Sequence, residues 1–541
     1  MLTRRDLLAA FLGAPFAAIA CRERRQTLPP GSLAGASDSV GHRLRSASRE
    51  RPSADAWEDR AIVIVGGGVA GLSAAWRLAH QGANDFVLLE LEPSLGGTSR
   101  SGSSPVTAYP WGAHYVPAPM KENPALVRLF REMNLLDGTD EDGQPVVAEQ
   151  FLCRDPEERL FYRGRWYEGL YLRAGATDDD LQQLHAFETE VARWAGWRDG
   201  RGRRAFTIPT SAGSDDAEVM ALDRISARQW LDQHRWTSPR LRWYVEYACR
   251  DDYGTLLDDT SAWAVVFYFA SRVANAGSAA RPLMTWPEGN DRMAKHLARS
   301  SVGRARPGWL VTDLQPVDRG VDVVAMSGDG RELRGIHAQR VIFAAPQFVA
   351  RHVIAPYREA PPRHIGAFQY GSWMVANLTV RDRPRSEGFP LAWDNVLYDS
   401  PALGYVVATH QSDADFGPTV LTYYYPLCDR DPHAGRQRLL SAGRDEWAEV
   451  ALSDLARAHP DLRALTERVD VMRWGHAMVR PHVGFLSSEP RLTARQPFRG
   501  IHFAHSDLSG VALFEEAFDQ GLRAAEEVLG VTRPDLVSFR S

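Results

Sequence analysis

The clearest pattern of hydrophobic positions in the chain lies between residues 61 and 90. The run at 62–65 is apolar and β-branched, which predicts a buried strand. A glycine-rich turn follows, and then a predicted helix that carries small residues on one face, namely Ala70, Ser73 and Ala74. A second apolar strand begins at Phe86 and ends at the carboxylate of Glu90. The pattern therefore predicts a β-α-β unit.

Three glycines in the turn stand at the G-x-G-x-x-G spacing of dinucleotide-binding units: Gly66, Gly68 and Gly71. In such units the first glycine allows the turn, the second lets the backbone approach a pyrophosphate, and the third permits close helix packing. The anion lies at the helix N-terminus, here Val69 and Ala70, and Glu90 stands where the ribose hydroxyls need an acceptor. The alternative is a glycine-rich turn that binds no ligand.

Later segments alternate between helical and strand patterns. Residues 121–280 predict helices joined by polar loops, at 123–136, 178–197, 226–234 and 239–249. Residues 286–346 predict a helix at 291–299 and then strands at 309–314, 321–324 and 341–346. Alternation at 374–380 and 404–409 predicts a mixed sheet, and a last helix is predicted at 514–529.

Composition limits the classes of function. At 541 residues the chain is too long for one compact core, so two domains are expected. A net charge of −5, with Lys121 and Lys295 as the only lysines, gives no reason to expect a nucleic-acid partner. The four cysteines are widely spaced and form no CxxC motif, so we predict neither a disulfide framework nor a metal site.

The N-terminus resembles an export signal. In residues 1–21 the pair Arg4 and Arg5 precedes a short apolar run, which is typical of a twin-arginine signal peptide and implies the twin-arginine export machinery as a partner. The run contains Pro15 and is too short to span a bilayer, so a transmembrane anchor is the weaker alternative. Cys21 stands where a lipoprotein is cleaved, so we expect a periplasmic protein or a lipoprotein attached to the membrane through Cys21. Residues 22–57 show no hydrophobic period and predict a flexible linker.

The segment after Glu90 carries a more specific signature. It has a second glycine pair, Gly96 and Gly97, followed by a turn at Gly112 and Ala113. In these motifs the chain resembles the FAD-dependent amine oxidase superfamily, which includes monoamine and polyamine oxidases, protoporphyrinogen oxidase and phytoene desaturase-like flavoproteins. The resemblance implies that the glycine pair approaches the FAD diphosphate and that the turn lies beside the isoalloxazine ring. The usual arginine after the pair is Thr98 here, and Arg100 is the candidate substitute.

The same resemblance assigns cofactor contacts to later segments. It implies a backbone contact to adenine at Val311, a ribityl contact at Asp507, and a helix start along the flavin pyrimidine edge at Glu515, Glu516 and Ala517. A helix N-terminus there stabilises the negative charge of the reduced flavin. No cysteine follows Cys428, so we expect FAD to be bound non-covalently.

The predicted fold class is α/β, with a Rossmann-like FAD-binding domain built on the G-x-G-x-x-G unit and a discontinuous α+β substrate domain. The FAD-binding domain is assigned to residues 58–120, 281–355 and 491–532. The substrate domain is assigned to residues 121–280 and 356–490.

By resemblance, the function is that of an FAD-dependent oxidoreductase of the amine oxidase type. Such an enzyme transfers hydride from a C–H bond of a small-molecule substrate to flavin N5, with dioxygen as acceptor. His114 beside the flavin turn, together with Trp474 and His476, are the candidate catalytic residues. For each histidine the alternative is a hydrogen-bonded structural imidazole. The polar segment 249–254 is either a capped helix end or part of the catalytic site.

One absence keeps a second function open. The superfamily usually holds a lysine near flavin N5, in the strand that follows the apolar segment at 341–346. The corresponding residues 371–380 contain no lysine. The alternative is therefore a desaturase or isomerase acting on an apolar, non-amine substrate, and a third hypothesis is a flavin-binding electron-transfer partner.

Overall fold

Two large sheets organise the protein. The computed structural model describes residues 28–45, 50–275, 277–412, 415–428 and 431–531, so the predicted signal peptide at 1–21 lies outside the described residues. One sheet has seven strands and is called here the nucleotide sheet, and the other has eight and is called the substrate sheet. Helices pack against both, which is the predicted α/β fold class.

The central strands of the nucleotide sheet have their carboxyl ends beside the glycine turn. Its strand order is Ala305–Pro307, Phe86–Glu90, Trp57–Val65, Leu333–Phe343, Gly320–Ser327 and Trp309–Val317, with Ile501–Phe503 beside Leu333–Phe343. Val65 pairs in parallel with Leu89 on one side and with Phe343 on the other. The carboxyl ends of the parallel strands therefore meet next to Gly66, where open α/β sheets bind their ligands.

The apolar run at 62–65 follows from burial on both faces of this sheet. Val63 and Val65 enter one hydrophobic cluster, and Ile62 and Ile64 enter another on the opposite face. A strand covered on both faces needs consecutive apolar residues, without alternation.

Helices Val69–His80 and Phe514–Leu529 pack closely against each other beside the nucleotide sheet. A Cβ at Gly521 would lie 2.2 Å from the carbonyl oxygen of Ala70, so this approach requires glycine. Buried Arg77 and Glu526 form an ion pair of 3.2 Å between the two helices. The packing brings both helix N-termini to one cavity.

The substrate sheet has one face on the cavity and one on a helical layer. Its strand order is Leu33–Gly35, Thr466–Val479, Tyr370–Val380, Thr419–Pro426, Gly404–Val407, Asp394–Leu397, Glu158–Tyr162 and Arg165–Glu168. Trp373 and Val375 face the cavity. Met374 and Ala376 lie in the cluster on the other face, together with residues of helices Pro432–Ser441 and Arg444–Leu455.

The remaining helices surround these sheets: Asp38–Gly41, Pro124–Glu132, Asp178–Gly196, Ala217–Ala221, Ala227–Gln233, Pro239–Tyr253, Ala262–Ala270, Asp291–Ala298, Gln347–Val353, Ala355–Glu359, Leu462–Leu465 and Glu489–Ala494. Three small two-stranded sheets complete the fold: Ser101–Ser103 with Ala108–Pro110, Tyr115–Pro117 with Leu283–Thr285, and Leu136–Thr139 with Pro145–Val147. Within the described ranges, no helix combines the length and the apolar content needed to cross a bilayer.

The prediction of a flexible linker over 22–57 is wrong for its described part. Residues Leu33–Gly35 form an edge strand paired with Val471, Met472 and Arg473. The Ser32 backbone N–H and hydroxyl also donate to the Asp470 carboxylate at 2.8 and 2.6 Å. An edge strand held by backbone pairing and polar contacts needs no hydrophobic period, so the pattern did not reveal it.

The predicted helical character of 121–280 is also incomplete. Glu158–Tyr162 and Arg165–Glu168 form a hairpin that extends the substrate sheet beyond Asp394–Leu397. The helix predicted for 239–249 continues to Tyr253 and ends at Gly254, which has φ +60°. The last turn of this helix therefore includes Asp251 and Asp252, and glycine in the left-handed conformation terminates it.

Candidate active site

The glycines of the first motif form a cradle that side chains would fill. Gly66 has φ +105°, and a Cβ there would lie 2.9 Å from the Ala344 carbonyl oxygen. A Cβ at Gly71 would lie 1.9 Å from the Gly66 carbonyl oxygen. Gly97 has φ +58° and faces Gly68 so closely that its Cβ would lie 3.1 Å from the Gly68 Cα. This bare backbone beside a helix N-terminus fits the diphosphate of a dinucleotide.

Glu90, the predicted ribose acceptor, lies beside the glycine cradle. Its side chain is buried and accepts hydrogen bonds from the backbone N–H groups of Gly67 and, at 2.8 Å, of Glu92. Burial raises the pKa of Glu90, while these two hydrogen bonds oppose the increase. The carboxylate therefore also fixes the glycine loop.

A cavity of about 820 Å³ joins the predicted cofactor residues. The predicted residues that line it are Gly66, Gly68, Val69, Ala70, Glu90, Gly97, Thr98, Gly112, Ala113, His114, Val311, Trp474, His476, Asp507, Glu515 and Ala517. Three predicted cofactor residues lie outside the lining. Gly71 packs against the Gly66 turn, Gly96 adopts φ +111° in the second glycine turn, and Glu516 points elsewhere. The cavity and its cradle fit FAD.

The side chains of the two glutamates at the start of helix Phe514–Leu529 point in different directions. Glu516 accepts hydrogen bonds from the Thr210 backbone N–H at 2.6 Å and from its hydroxyl at 2.9 Å, so its side chain does not line the cavity, and its contact with the flavin edge stays a prediction. Glu515 is buried at the cavity, and its Oε1 has no hydrogen-bond partner within the described chain. Burial raises the pKa of each to about 7.

Asp507 connects three segments at the cavity wall. Its Oδ2 accepts the Gln347 backbone N–H at 3.0 Å and the Tyr370 hydroxyl at 2.6 Å, and its Oδ1 lies 3.0 Å from His505 Nδ1. Burial alone would raise its pKa, but His505, Tyr370 and Gln347 together lower the pKa below its usual value. Asp507 is therefore an ionised group that also orders the wall.

The three predicted catalytic residues line the cavity, and Trp474 and His114 contact the turn at Gly112. The indole N–H of Trp474 donates to the Trp111 carbonyl oxygen at 2.6 Å. The His114 ring stacks on Tyr424 with centroids 4.6 Å apart, and burial lowers the His114 pKa to about 4. His476 stacks on Phe348 at 4.1 Å, and burial and nearby cationic groups lower its pKa to about 3. Both imidazoles are neutral near pH 7.

A cluster of ionisable groups on the cavity wall includes Asp251 and Asp252, from the segment 249–254 that the sequence left open as a capped helix end or part of the site, and adds Tyr115 and Arg272, which were not predicted. Arg272 Nη2 lies 3.0 and 2.8 Å from the two oxygens of Asp252, and the Tyr115 hydroxyl lies 3.4 Å from Asp251 and 3.3 Å from Asp252. These four residues line the cavity. Burial and the charge of Asp252 raise the Asp251 pKa to about 7. The signal in the sequence was the adjacent carboxylates in 249–254, which do not cap the helix, since Gly254 ends it.

The strand that would carry the family lysine presents an indole to the cavity. The residues of the strand Tyr370–Val380 that line the cavity are Tyr370, Trp373 and Val375. Lys295 pairs with Asp291 at 2.8 Å, and Lys121 donates to the Asp142 carbonyl oxygen at 2.9 Å. Neither lysine lines the cavity, so neither takes the place of the missing one.

The part of the chain that the structure describes holds no group of three or more His, Cys, Asp or Glu side chains arranged for a metal ion. Its cysteines, Cys153, Cys249 and Cys428, form no disulfide and lie outside the cavity lining.

Known proteins share this architecture. The chain is similar to "Putative flavin-containing monoamine oxidase AofH" of Mycobacterium tuberculosis H37Rv, with 25% identity over 86% of this chain and 96% of that protein. Its fold is similar to putrescine oxidase bound to putrescine, with a TM-score of 0.61 and 17% identity over 88% of this chain and all of that one. It is also similar to cyclohexylamine oxidase from Brevibacterium oxydans IH-35A (TM-score 0.60, 15% identity, 87% and 99% of the chains).

A fatty acid isomerase from P. acnes that produces CLA has the same fold, with a TM-score of 0.61 and 15% identity over 86% of this chain and 98% of that one. The fold alone therefore does not separate amines from apolar substrates. The family described as "Flavin containing amine oxidoreductase" matches residues 69–529, which is most of the chain. The chain belongs to this flavin-containing amine oxidoreductase family and is an FAD-dependent oxidoreductase of the amine oxidase type.

Proposed function

We propose that this enzyme oxidises an amine that binds as a cation, and that Asp251 recognises the substrate nitrogen. The observation that carries the proposal is an unmatched carboxylate on the cavity wall. Arg272 holds both oxygens of Asp252, whereas Asp251 has the Tyr115 hydroxyl at 3.4 Å and no ion pair within the described residues. A cation would pair with Asp251, whereas an apolar chain would desolvate this carboxylate without compensation.

The walls beside Asp251 are aromatic. Tyr115, Trp373, Tyr424 and Trp474 line the same cavity, and the Tyr424 hydroxyl donates to the Gly112 carbonyl oxygen at 2.9 Å. Such walls exclude water and favour a substrate cation over their ring faces. An amine paired with Asp251 would share the cavity with the turn at Gly112 and Ala113.

Asp251 also suits the proton that an amine must lose. The chemistry that FAD supplies when bound is acceptance of a hydride equivalent from the substrate C–H bond, with dioxygen as the final acceptor. Hydride leaves more readily from a neutral amine, so the ammonium proton needs an acceptor. A carboxyl group with a pKa of about 7 is ionised above that pH and can accept the proton.

Anaerobic mixing of the FAD-loaded protein with primary amines, diamines and an unsaturated fatty acid tests the proposal. We expect amines to bleach the flavin and Asp251→Asn to weaken this reaction about tenfold or more without changing FAD content. Asp258→Asn is the matched control, because Asp258 is exposed and pairs with Arg228 on the surface. Bleaching by the fatty acid alone, or an unaffected Asp251→Asn enzyme, would reject the amine assignment.

We further propose that FAD is held without a covalent bond. The support is that no described cysteine lines the cavity and that no cysteine follows Cys428. Acid precipitation of the purified protein should release the yellow chromophore into the supernatant. Colour that stays in the pellet would contradict this.

Export in the folded state is also a proposal. Its support is the Arg4 and Arg5 pair, together with an FAD site assembled from separated segments, which must fold before it can bind the cofactor. Replacing both arginines by lysine keeps the charge but removes the guanidinium pair. We expect the double-lysine protein to stay in the cytoplasm, folded and yellow, while the unmodified protein reaches the periplasm.

Membrane attachment is tested in the same fractionation. If Cys21 is lipidated, the exported protein will sediment with membranes, and Cys21→Ser will release it. Export of the double-lysine variant would refute the twin-arginine assignment. An exported protein that is wholly soluble would refute the lipid anchor alone.

A further inference from the structure

The described segment 28–45, called here the N-terminal strap, crosses the cavity and contacts both sheets. Its strand Leu33–Gly35 joins the substrate sheet beside Val471, Met472 and Arg473. Farther along, the Ser37 backbone N–H and hydroxyl donate to Glu92 at 2.7 and 3.0 Å. The strap therefore links the substrate sheet to the loop after the strand Phe86–Glu90.

The strap connects directly to the ribose end of the cradle. Glu92 receives Ser37, and its backbone N–H donates to Glu90 Oε1 at 2.8 Å. Leu44 of the strap is buried in the same hydrophobic cluster as Val65 and Leu89, the last apolar residues of two central strands. The strap is thus seated over the ends of the parallel strands, where a dinucleotide binds.

The strap also brings positive charge to the cavity. His42 and Arg45 line it together with Arg436, and their charges contribute to the low pKa of His476. None of these three basic side chains forms an ion pair with a carboxylate in the described part of the chain. The nearby carboxylates already have other partners. Asp507 contacts Gln347, Tyr370 and His505. Glu92 contacts Ser37 and Arg100.

The basic side chains share one cavity with the glycine cradle, because Gly66, Gly68 and Gly97 line it as well. His476 stacks on Phe348, and the segment just before Phe348 touches the Gly66 turn, where Ala344 lies 2.9 Å from a Cβ placed on Gly66. The second glycine pair brings no free cation of its own. Thr98 is neutral, and Arg100 Nη1 is directed to Glu92 at 3.4 Å.

We propose that the N-terminal strap is part of the FAD site and that its Arg45, together with Arg436, neutralises the anionic diphosphate of the cofactor. Guanidinium groups bind phosphate oxygens strongly and with defined geometry. A strap fastened to both sheets also has to detach before the cofactor leaves. This inference concerns cofactor retention and does not depend on which substrate is oxidised.

Two arginines of the strap offer a matched comparison. Arg45 lines the cavity, whereas Arg43, on the same turn, lies against the Gly330 loop and does not. FAD and riboflavin are titrated into the full-length apoprotein of Arg45→Gln, Arg43→Gln and the unmodified protein, with quenching of flavin fluorescence as readout. We expect Arg45→Gln to weaken FAD about tenfold, to flatten the salt dependence of FAD binding, and to leave riboflavin unchanged.

Equal FAD affinity in Arg45→Gln and Arg43→Gln would overturn the charge assignment. An equal loss of FAD and riboflavin affinity would also overturn it, because riboflavin lacks the diphosphate.

Seating of the strap is tested by two glycines. A Cβ at Gly31 would lie 1.8 Å from the Val469 carbonyl oxygen, whereas Gly366 lies outside the strap and the cavity lining and nothing lies within 4 Å of its Cβ. Gly31→Val should therefore unseat the strap and raise the FAD dissociation rate about tenfold or more, while Gly366→Ala should not. Unchanged dissociation in a folded Gly31→Val protein would show that the strap does not retain FAD.

Discussion

The two ends of the cavity are built by different means. At the cradle end, Gly66, Gly71 and Gly97 leave bare backbone, and any added Cβ meets another backbone within about 3 Å. At the other end, Asp251, Asp252 and Arg272 place ionisable side chains in the same cavity as several aromatic residues. Shape therefore defines the cradle end, and charge balance defines the end at Asp251. Substitutions should fail at the first through steric clash and at the second through uncompensated charge.

The largest effect is expected at the charged end, for Arg272→Met. Asp252 is 4% exposed and has its ion pair with Arg272, so the variant leaves a buried charge without its partner. Breaking a buried pair in this way costs about 3–5 kcal/mol. Thermal unfolding should show a much lower Tm, and adding Asp252→Asn should recover part of the loss. A double variant as unstable as the single one would show that charge is not the cause.

At the cradle end, a substitution should disrupt the cofactor site through a steric clash. Gly71→Val places a side chain 1.9 Å from the Gly66 carbonyl oxygen, which forces the helix Val69–His80 away from the strand before it. Overpacking of this kind costs about 1–3 kcal/mol and displaces the turn that FAD requires. Flavin content should fall to near zero, together with a lower Tm. Gly366→Ala is the control, since nothing lies within 4 Å of its Cβ and its φ is ordinary.

The same contrast explains how much could be predicted from sequence. The β-α-β unit was predictable, because the close approaches at Gly66 and Gly71 demand glycine at fixed spacing and the buried strand demands consecutive apolar residues. The family matched by residues 69–529 confirms the predicted class of flavoenzyme. Ionic clusters leave no such periodic trace. Tyr115, Asp252 and Arg272 are brought together only by tertiary packing.

The strand in the N-terminal strap and the direction of the Glu516 side chain could not be predicted from the sequence, for related reasons. An edge strand such as Leu33–Gly35 is held by its backbone, so its sequence resembles that of a linker. Glu516 stands at a helix start that the family places near flavin. Consecutive residues of a helix point in different directions, so the Glu516 side chain contacts Thr210, whereas the Glu515 side chain lies at the cavity. Spacing locates an element, whereas the facing of a polar side chain depends on its partners.

The third prediction concerns how the unpaired Asp251 carboxyl group affects the stability of the folded protein. Its folded pKa of about 7 exceeds the ordinary aspartate pKa of 3.8, so the folded protein holds more protons than the unfolded one between those pH values. Stability from this group therefore falls as pH rises from about 4 to 7. Asp251→Asn should gain Tm relative to the unmodified protein at pH 8 and match it more closely at pH 5, even though amine oxidation is impaired. A Tm difference independent of pH would contradict the raised pKa.

The smallest effect is expected for His114→Phe, at the boundary between the two ends. His114 stacks on Tyr424 at 4.6 Å, and its pKa of about 4 keeps it neutral through the working range of pH. A phenyl ring preserves the stack and removes only the contact of 3.3 Å between Nδ1 and the Gly112 carbonyl oxygen. Flavin reduction should slow by less than about tenfold, because one neutral hydrogen bond contributes about 0.5–1.5 kcal/mol.

The pH dependence decides whether His114 or Asp251 carries the proton. If Asp251 accepts it, the rate of flavin reduction at low amine concentration rises with an inflection near pH 7, and His114→Phe leaves that inflection in place. Asp251→Asn should remove it. If the inflection instead disappears in His114→Phe and persists in Asp251→Asn, the imidazole is the proton acceptor, and Asp251 serves only to bind the cation.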